Sequence, residues 1–105
     1  MKTSVFWTER ARSDFLAIKS YLQERSPQGS RRVARNILRR TRRLARFPLS
    51  GRTVPEFAGL KPDLREIIVG KYRVVYCLAS GSGKTARAVI LAVFHARQEF
   101  PGGLL

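Results

Sequence analysis

Leu64 to Ala79 reads LREIIVGKYRVVYCLA. Two runs, LREIIVG (64–70) and KYRVVYCLA (71–79), are rich in β-branched and aromatic residues and meet at Gly70-Lys71. So short a connection joins antiparallel strands, because a parallel return needs a crossover of about a dozen residues or more. A third run, ARAVILAVFHA (86–96), follows Ser80-Gly81-Ser82-Gly83-Lys84, which extends the pair into a meander. Alternation in the second run sets Tyr72, Val74, Tyr76 and Leu78 on one face and Arg73, Val75, Cys77 and Ala79 on the other. In the third it sets Val89, Leu91, Val93 and His95 against Ile90, Ala92, Phe94 and Ala96. Both faces are substantially apolar, so both need cover.

Upstream the period changes. Leu49 to Asp63 is a loop punctuated by Gly51, Pro55, Gly59 and Pro62. Before it, Pro48 stops a helix running from Ser26 (cap) and Pro27 (first residue) to about Phe47. An earlier helix, capped by Thr8, runs to about Glu24 and keeps Ala11, Phe15, Ile18 and Leu22 on one narrow face. The short turn at Arg25-Ser26-Pro27 makes the two an antiparallel hairpin. Residues 2–7, KTSVFW, form a short strand ahead of it. One hairpin covers one sheet face; the other is left to the C-terminal tail, a second copy or a partner.

The second helix carries the strongest charge signal. RRVARNILRRTRRLAR (31–46) holds eight arginines and no acid. At about 100° per residue, Arg31, Arg32, Arg35, Arg39, Arg42, Arg43 and Arg46 fall within roughly 120°, opposite Val33, Ile37, Thr41 and Leu44. Like charges at helical spacing repel, and no Glu or Asp relieves them here. Two readings stand: a solvated face, or a surface whose counter-charges come from an acidic partner.

The whole chain shares that bias. It has 105 residues and a net charge of +14, and arginine supplies most of its 21 basic groups. The length points to one domain, and 44% hydrophobic residues suffice for a core. Such charge draws a protein to nucleic acid, acidic protein or anionic surfaces. A single cysteine, Cys77, forbids an internal disulfide and fits a reducing compartment. There is no apolar run of signal-peptide or membrane-spanning length, so a cytoplasmic domain without membrane attachment is expected.

Two motifs mislead. Gly83-Lys84-Thr85 suggests a phosphate-binding loop, but Leu78 stands where that motif requires glycine, and a strand follows rather than a helix. His95 and Cys77 are each the sole residue of their type and cannot found a metal cluster. Asp14 and Asp63 sit in ordinary surface contexts, and no Ser-His-Asp set emerges. A cationic group remains: Arg65 and Arg73 on neighbouring strands, with His95 and Arg97 closing the last. It could grip a phosphate backbone and, with a base, assist attack by a ribose 2′-OH. Alternatively, Arg65 and Arg73 pair with Glu66, Asp63 or backbone carbonyls at a sheet edge.

The element order and these residues together resemble the RelE/ParE toxins of type II toxin–antitoxin systems. The resemblance rests on Trp7-Thr8 with Ala11 and Asp14, Ile18 and Tyr21, Leu44-Ala45-Arg46-Phe47-Pro48 and Gly51-Arg52. It rests further on Leu64-Arg65-Glu66, Gly70-Lys71-Tyr72-Arg73-Val74-Val75-Tyr76 and Val93-Phe94-His95-Ala96-Arg97. It implies an α+β fold, β-α-α-β-β-β, with a helical hairpin on a mostly antiparallel four-stranded sheet. The toxin domain would span 1–97 and a tail 98–105. No cofactor or metal is implied.

The resemblance also implies a cognate, ParD-like antitoxin whose acidic C-terminal segment wraps the toxin. Such a segment could meet both the second sheet face and the arginine stripe. The family divides by target. RelE-like members cut messenger RNA on the ribosome; ParE-like members poison DNA gyrase. The long hairpin and the L-R-E-I-I-V-G-x-Y-R-V-V-Y pattern are more similar to the ParE-like branch, which needs no catalytic residue. In the RelE-like alternative Arg65, Arg73 and Arg97 would hold the scissile phosphate and His95 would act as acid or base. Yet arginine is a poor proton carrier, and Phe100 stands where that branch often has tyrosine. Expected antitoxin or target contacts are Arg31, Arg35, Arg39, Arg42, Arg43, Arg46, Arg65, Arg73, His95 and Arg97.

Overall fold

A computed structural model describes residues 3–80 and 86–104. The chain runs β1 (Thr3–Trp7), α1 (Glu9–Arg25), α2 (Pro27–Arg42), a 3₁₀ turn (Arg43–Ala45) and β2 (Arg52–Thr53). A second 3₁₀ turn (Pro55–Phe57), β3 (Leu64–Val69), β4 (Tyr72–Ser80) and β5 (Ala86–His95) follow. The architecture is α+β. The sheet has five strands in the order β1-β5-β4-β3-β2, with β1 parallel to β5 and the rest antiparallel. The strand beyond the expected four is β2, only two residues long, too short for alternation to reveal it.

Local chemistry sets the hairpin. Thr8 Oγ1 accepts the Ala11 N–H at 3.0 Å and opens α1. Ser26 closes α1, donating its N–H to the Leu22 carbonyl, and opens α2, its Oγ accepting from Gly29 N with Pro27 next in line. The two helices approach through small residues: buried Ser30 donates its hydroxyl to the Lys19 carbonyl at 2.8 Å, and Ala34 lies one turn on. The α-helix ends at Arg42 rather than near Phe47. The tighter turn over Arg43–Ala45 eclipses residues three apart, so Arg43 and Arg46 both come to lie over the Phe47 ring, at 5.8 and 5.9 Å.

One face of the sheet packs under the hairpin. Val74, Tyr76, Ile67, Val69, Ala88, Ile90 and Val93 meet Ala11, Ile37, Phe15, Ile18 and Val33 there. The opposite face is covered by the chain itself. Val54 and Phe57 from the loop, and Phe100 and Leu104 from the tail, pack on Leu64, Val75, Leu91, Ala92 and Phe94. Of the covers open from sequence, the tail is thus one, and the loop is a second that had not been expected.

The alternation expected for β5 fails at one point. Val75 pairs with Ala92 but Tyr76 pairs with Ile90, leaving Leu91 as an extra residue. This bulge turns Leu91 and Ala92 to the same face, so Val93 and His95 join Ile90 and Ala88 on the hairpin side. The backbone here is satisfied from α1 and its cap: Val93 N–H donates to Asp14 Oδ2 at 3.0 Å, and Thr8 N–H donates to Ile90 O at 3.1 Å. Asp14 is therefore a structural acceptor rather than an ordinary surface acid. The expected turn at Gly81–Lys84 lies outside the described residues, though Ser80 pairs with Ala86 on either side of it.

Candidate functional site

Arg73 is the residue that decides what chemistry the sheet can do. It projects from β4 onto the tail-covered face and is only 9% exposed. Its Nε donates to Glu66 Oε1 at 2.6 Å, and its two terminal nitrogens donate to the Glu56 carboxylate at 2.9 and 3.0 Å in a bidentate pair. The guanidinium sits over the rings of Phe94 and Phe100, at 5.2 and 5.5 Å. Glu66 is fully buried and takes a second donor, Arg52 Nε, at 2.6 Å. The hydrogen bonds from Arg73 hold the Glu56 carboxyl down at about 2, against the opposing effect of burial. The bonds from Glu56, then those from Glu66, raise Arg73 further still.

Arg65 is elsewhere. It pairs across from Tyr76 and so lies on the hairpin side of the sheet, opposite in facing to Arg73. It donates to Gly51 O at 2.9 Å and keeps an ion-pair distance of 3.2 Å to Asp63. Beside it Tyr76 donates its hydroxyl to Pro48 O at 2.7 Å and accepts from Gly51 N at 3.0 Å. These contacts fasten the Phe47-Pro48 to Gly51-Arg52 segment onto the sheet. A Cβ on Gly51 would come within 2.7 Å of both the Tyr76 ring and the Glu66 carbonyl oxygen, so this position requires glycine.

His95 pairs across from Tyr72, four residues along β4 from the partner of Arg65, or roughly 13 Å. Its Nδ1 accepts the Arg97 N–H at 3.1 Å, which leaves the Nε2 position as the protonated one in the neutral ring. The ring stands edge-on to Tyr72 at 5.6 Å. Arg97 itself is exposed. The structure therefore does not bring Arg65, Arg73, His95 and Arg97 together. The pairing alternative raised from sequence describes what Arg65 and Arg73 do. Glu56 and Arg52, which complete the buried cluster, were missed, because nothing in a loop sequence signals that a carboxylate folds back over a strand. Cys77 has its thiol pushed up by burial and is held protonated. Among the described residues no group of three or more His, Cys, Asp or Glu could hold a metal ion.

What the surface does offer is arranged around α2. Arg31, Arg32, Arg35, Arg39 and Arg42 on the helix, and Arg43 and Arg46 on the turn after it, are all exposed. Every ion pair among the described residues involves Arg10, Arg52, Arg65 or Arg73, and none of these arginines belongs to the stripe. Among the described residues, Arg39 alone of the stripe makes a side-chain hydrogen bond, donating to Asn36 Oδ1 at 2.9 Å. Two grooves flank this ridge. One, of about 400 Å³, is lined by Leu22, Val33, Val69 and Tyr72 and edged by Arg32 and Lys71. The other, of about 320 Å³, is lined by Trp7, Phe15, Leu16 and Leu38 and edged by Arg12. Leu16 and Tyr21 stand more than half exposed on α1. A third hollow, of about 510 Å³, lies between Ile18, Tyr21, Tyr72 and His95. No described helix is long and apolar enough to cross a membrane.

A family model described as the ParE toxin of the type II toxin–antitoxin system parDE matches residues 5–100. Among solved structures, a chain of the chromosomal ParDE system from P. aeruginosa is similar, with a TM-score of 0.66 and 16% sequence identity. The match covers 90% of this chain and 97% of that one, and at such identity it establishes likeness of fold. No curated protein sequence matches closely enough to serve as a relative.

Proposed function

We propose that this chain, which belongs to the ParE toxin family of type II toxin–antitoxin systems, inhibits DNA gyrase without catalysing a reaction and is neutralised by a cognate antitoxin. The observation that carries this reading is the engagement of Arg73 by Glu66 and Glu56. A phosphodiester-cleaving toxin would need that arginine free to stabilise charge on the scissile phosphate. Here two carboxylates already occupy it, and Arg65 faces the other side of the sheet. His95, the chain's one histidine, has neither Arg65 nor Arg73 assembled around it; the cations beside it are Lys71 and Arg97. A binding surface needs none of these.

The antitoxin reading draws on the grooves beside α2. Each combines an apolar floor with a basic edge, which suits an amphipathic acidic segment that orders on binding. The hollow at His95, with Arg97 beside it, is the proposed target-facing contact. The test is a supercoiling assay with purified gyrase in which linearised plasmid is scored. Accumulated cleaved DNA, reversed by the product of the neighbouring antitoxin gene, supports the reading; supercoiling unchanged at toxin in excess of gyrase overturns it.

A further inference from the structure

We infer that the α2 ridge is a docking surface for the phosphate backbone of duplex DNA, distinct from the grooves on either side. Arg31, Arg35, Arg39 and Arg42 form its line, all exposed and none paired with an acid among the described residues. At about 1.5 Å per residue they span roughly 17 Å. Consecutive members are neighbours three or four residues apart, about 5–6 Å between Cβ atoms. One DNA strand rises about 3.4 Å per phosphate along the helix axis while also winding around it, so a straight ridge of this length reaches several phosphates in turn, fewer than that axial spacing alone would suggest.

The chemistry favours phosphate over an acidic protein segment. A protein segment that orders on binding needs apolar anchors to offset its ordering cost. The apolar positions of α2 are not on the ridge: Ala34 and Ile37 are buried, and Val33 and Leu38 belong to the two flanking grooves. The ridge itself presents guanidinium groups alone, which bind phosphate oxygens bidentately. No aromatic ring is interleaved along Arg31 to Arg42, so there is no platform for unstacked bases. That points to a duplex backbone, bound without sequence preference. The surface stands apart from the gyrase reading, because a toxin that never touched gyrase could still carry it.

The test contains no gyrase. Binding of a fluorescently labelled 20-base-pair duplex is measured by anisotropy across a salt series. Three proteins are compared: the wild type, the triple variant Arg35→Gln/Arg39→Gln/Arg42→Gln, and a control with Arg12→Gln/Arg25→Gln/Arg87→Gln. Arg12, Arg25 and Arg87 are exposed and lie on α1 and β5. The two variants carry the same net charge. The ridge variant should lower the slope of log K against log salt by about 3, about one unit per lost phosphate contact, and the control by less than one. Equal losses in both variants would reduce the effect to diffuse net charge and overturn the proposal. So would a ridge variant that keeps its duplex affinity but no longer binds antitoxin, because the ridge would then be a protein-binding surface. Far-ultraviolet circular dichroism confirms that both variants keep the fold.

Discussion

Arg73 Nε and Glu66 Oε1 lie 2.6 Å apart on adjacent strands, and both side chains are almost wholly withdrawn from water. A charge in such a place is tolerated only while its partner remains. Glu66→Gln should therefore destabilise the protein by about 3 kcal/mol, read as a shift of the urea midpoint with unchanged slope. A change below about 0.5 kcal/mol would mean that the cluster is wet and loosely held.

The same cluster predicts an acid limb. Glu56 ionises near its ordinary 4.5 when unfolded and at about 2 when folded, chiefly because Arg73 hydrogen-bonds to its carboxylate. Its contribution is complete above pH 4.5 and is lost as pH falls towards 2. The Glu56 side chain is partly exposed, so solvent screens the effect. Stability measured from pH 5 to pH 2 should fall more steeply in the wild type than in Glu56→Gln. Parallel curves would remove Glu56 from the account.

Gly51 and Tyr76 form a second fastening. Gly51→Ala drives a methyl group into the Tyr76 ring and a strand carbonyl, a conflict that should cost about 1–3 kcal/mol. Tyr76→Phe leaves Pro48 O and Gly51 N without their partner and should cost a similar amount, about 1–3 kcal/mol. Thermal melts of the two variants and of the double variant test the coupling. Full additivity would show that the two residues do not act on one contact.

At the β5 bulge, Asp14→Ala should release the Val93 amide. Hydrogen exchange at that one site should accelerate more than at its strand neighbours, and stability should fall by about 1–3 kcal/mol. An unchanged Val93 amide would mean that water replaces the carboxylate without cost.

His95 separates the two target readings. In the gyrase reading His95 supplies contact area at the hollow and no proton, and Gln keeps a polar side chain of similar reach that can accept the Arg97 N–H as Nδ1 does, so His95→Gln should leave growth inhibition within about threefold of wild type. Loss of toxicity with the fold and antitoxin binding intact would make the ring a working acid or base.

Much of this molecule is legible from its residues. Ser26-Pro27, Thr8 and Gly70-Lys71 mark the hairpin and the β-turn through local chemistry, which sequence carries directly. The bulge at Leu91 was not legible, because an extra residue inside an apolar run leaves the run apolar while reversing every face beyond it. The shortened α2 was not legible either, because Arg43 to Phe47 continue a helical pattern that the chain completes as a 3₁₀ turn. At the site, the exposed arginine stripe follows from periodicity. The fate of Arg73 does not, since it depends on Glu56, seventeen residues away in a loop whose path only tertiary packing decides.

The most direct test gives one preparation of the toxin two substrates in parallel: plasmid with DNA gyrase, and messenger RNA on translating ribosomes. The account predicts linearised plasmid, restored to the supercoiled form by antitoxin, and intact messenger RNA. Cleaved messenger RNA with undisturbed supercoiling would contradict it.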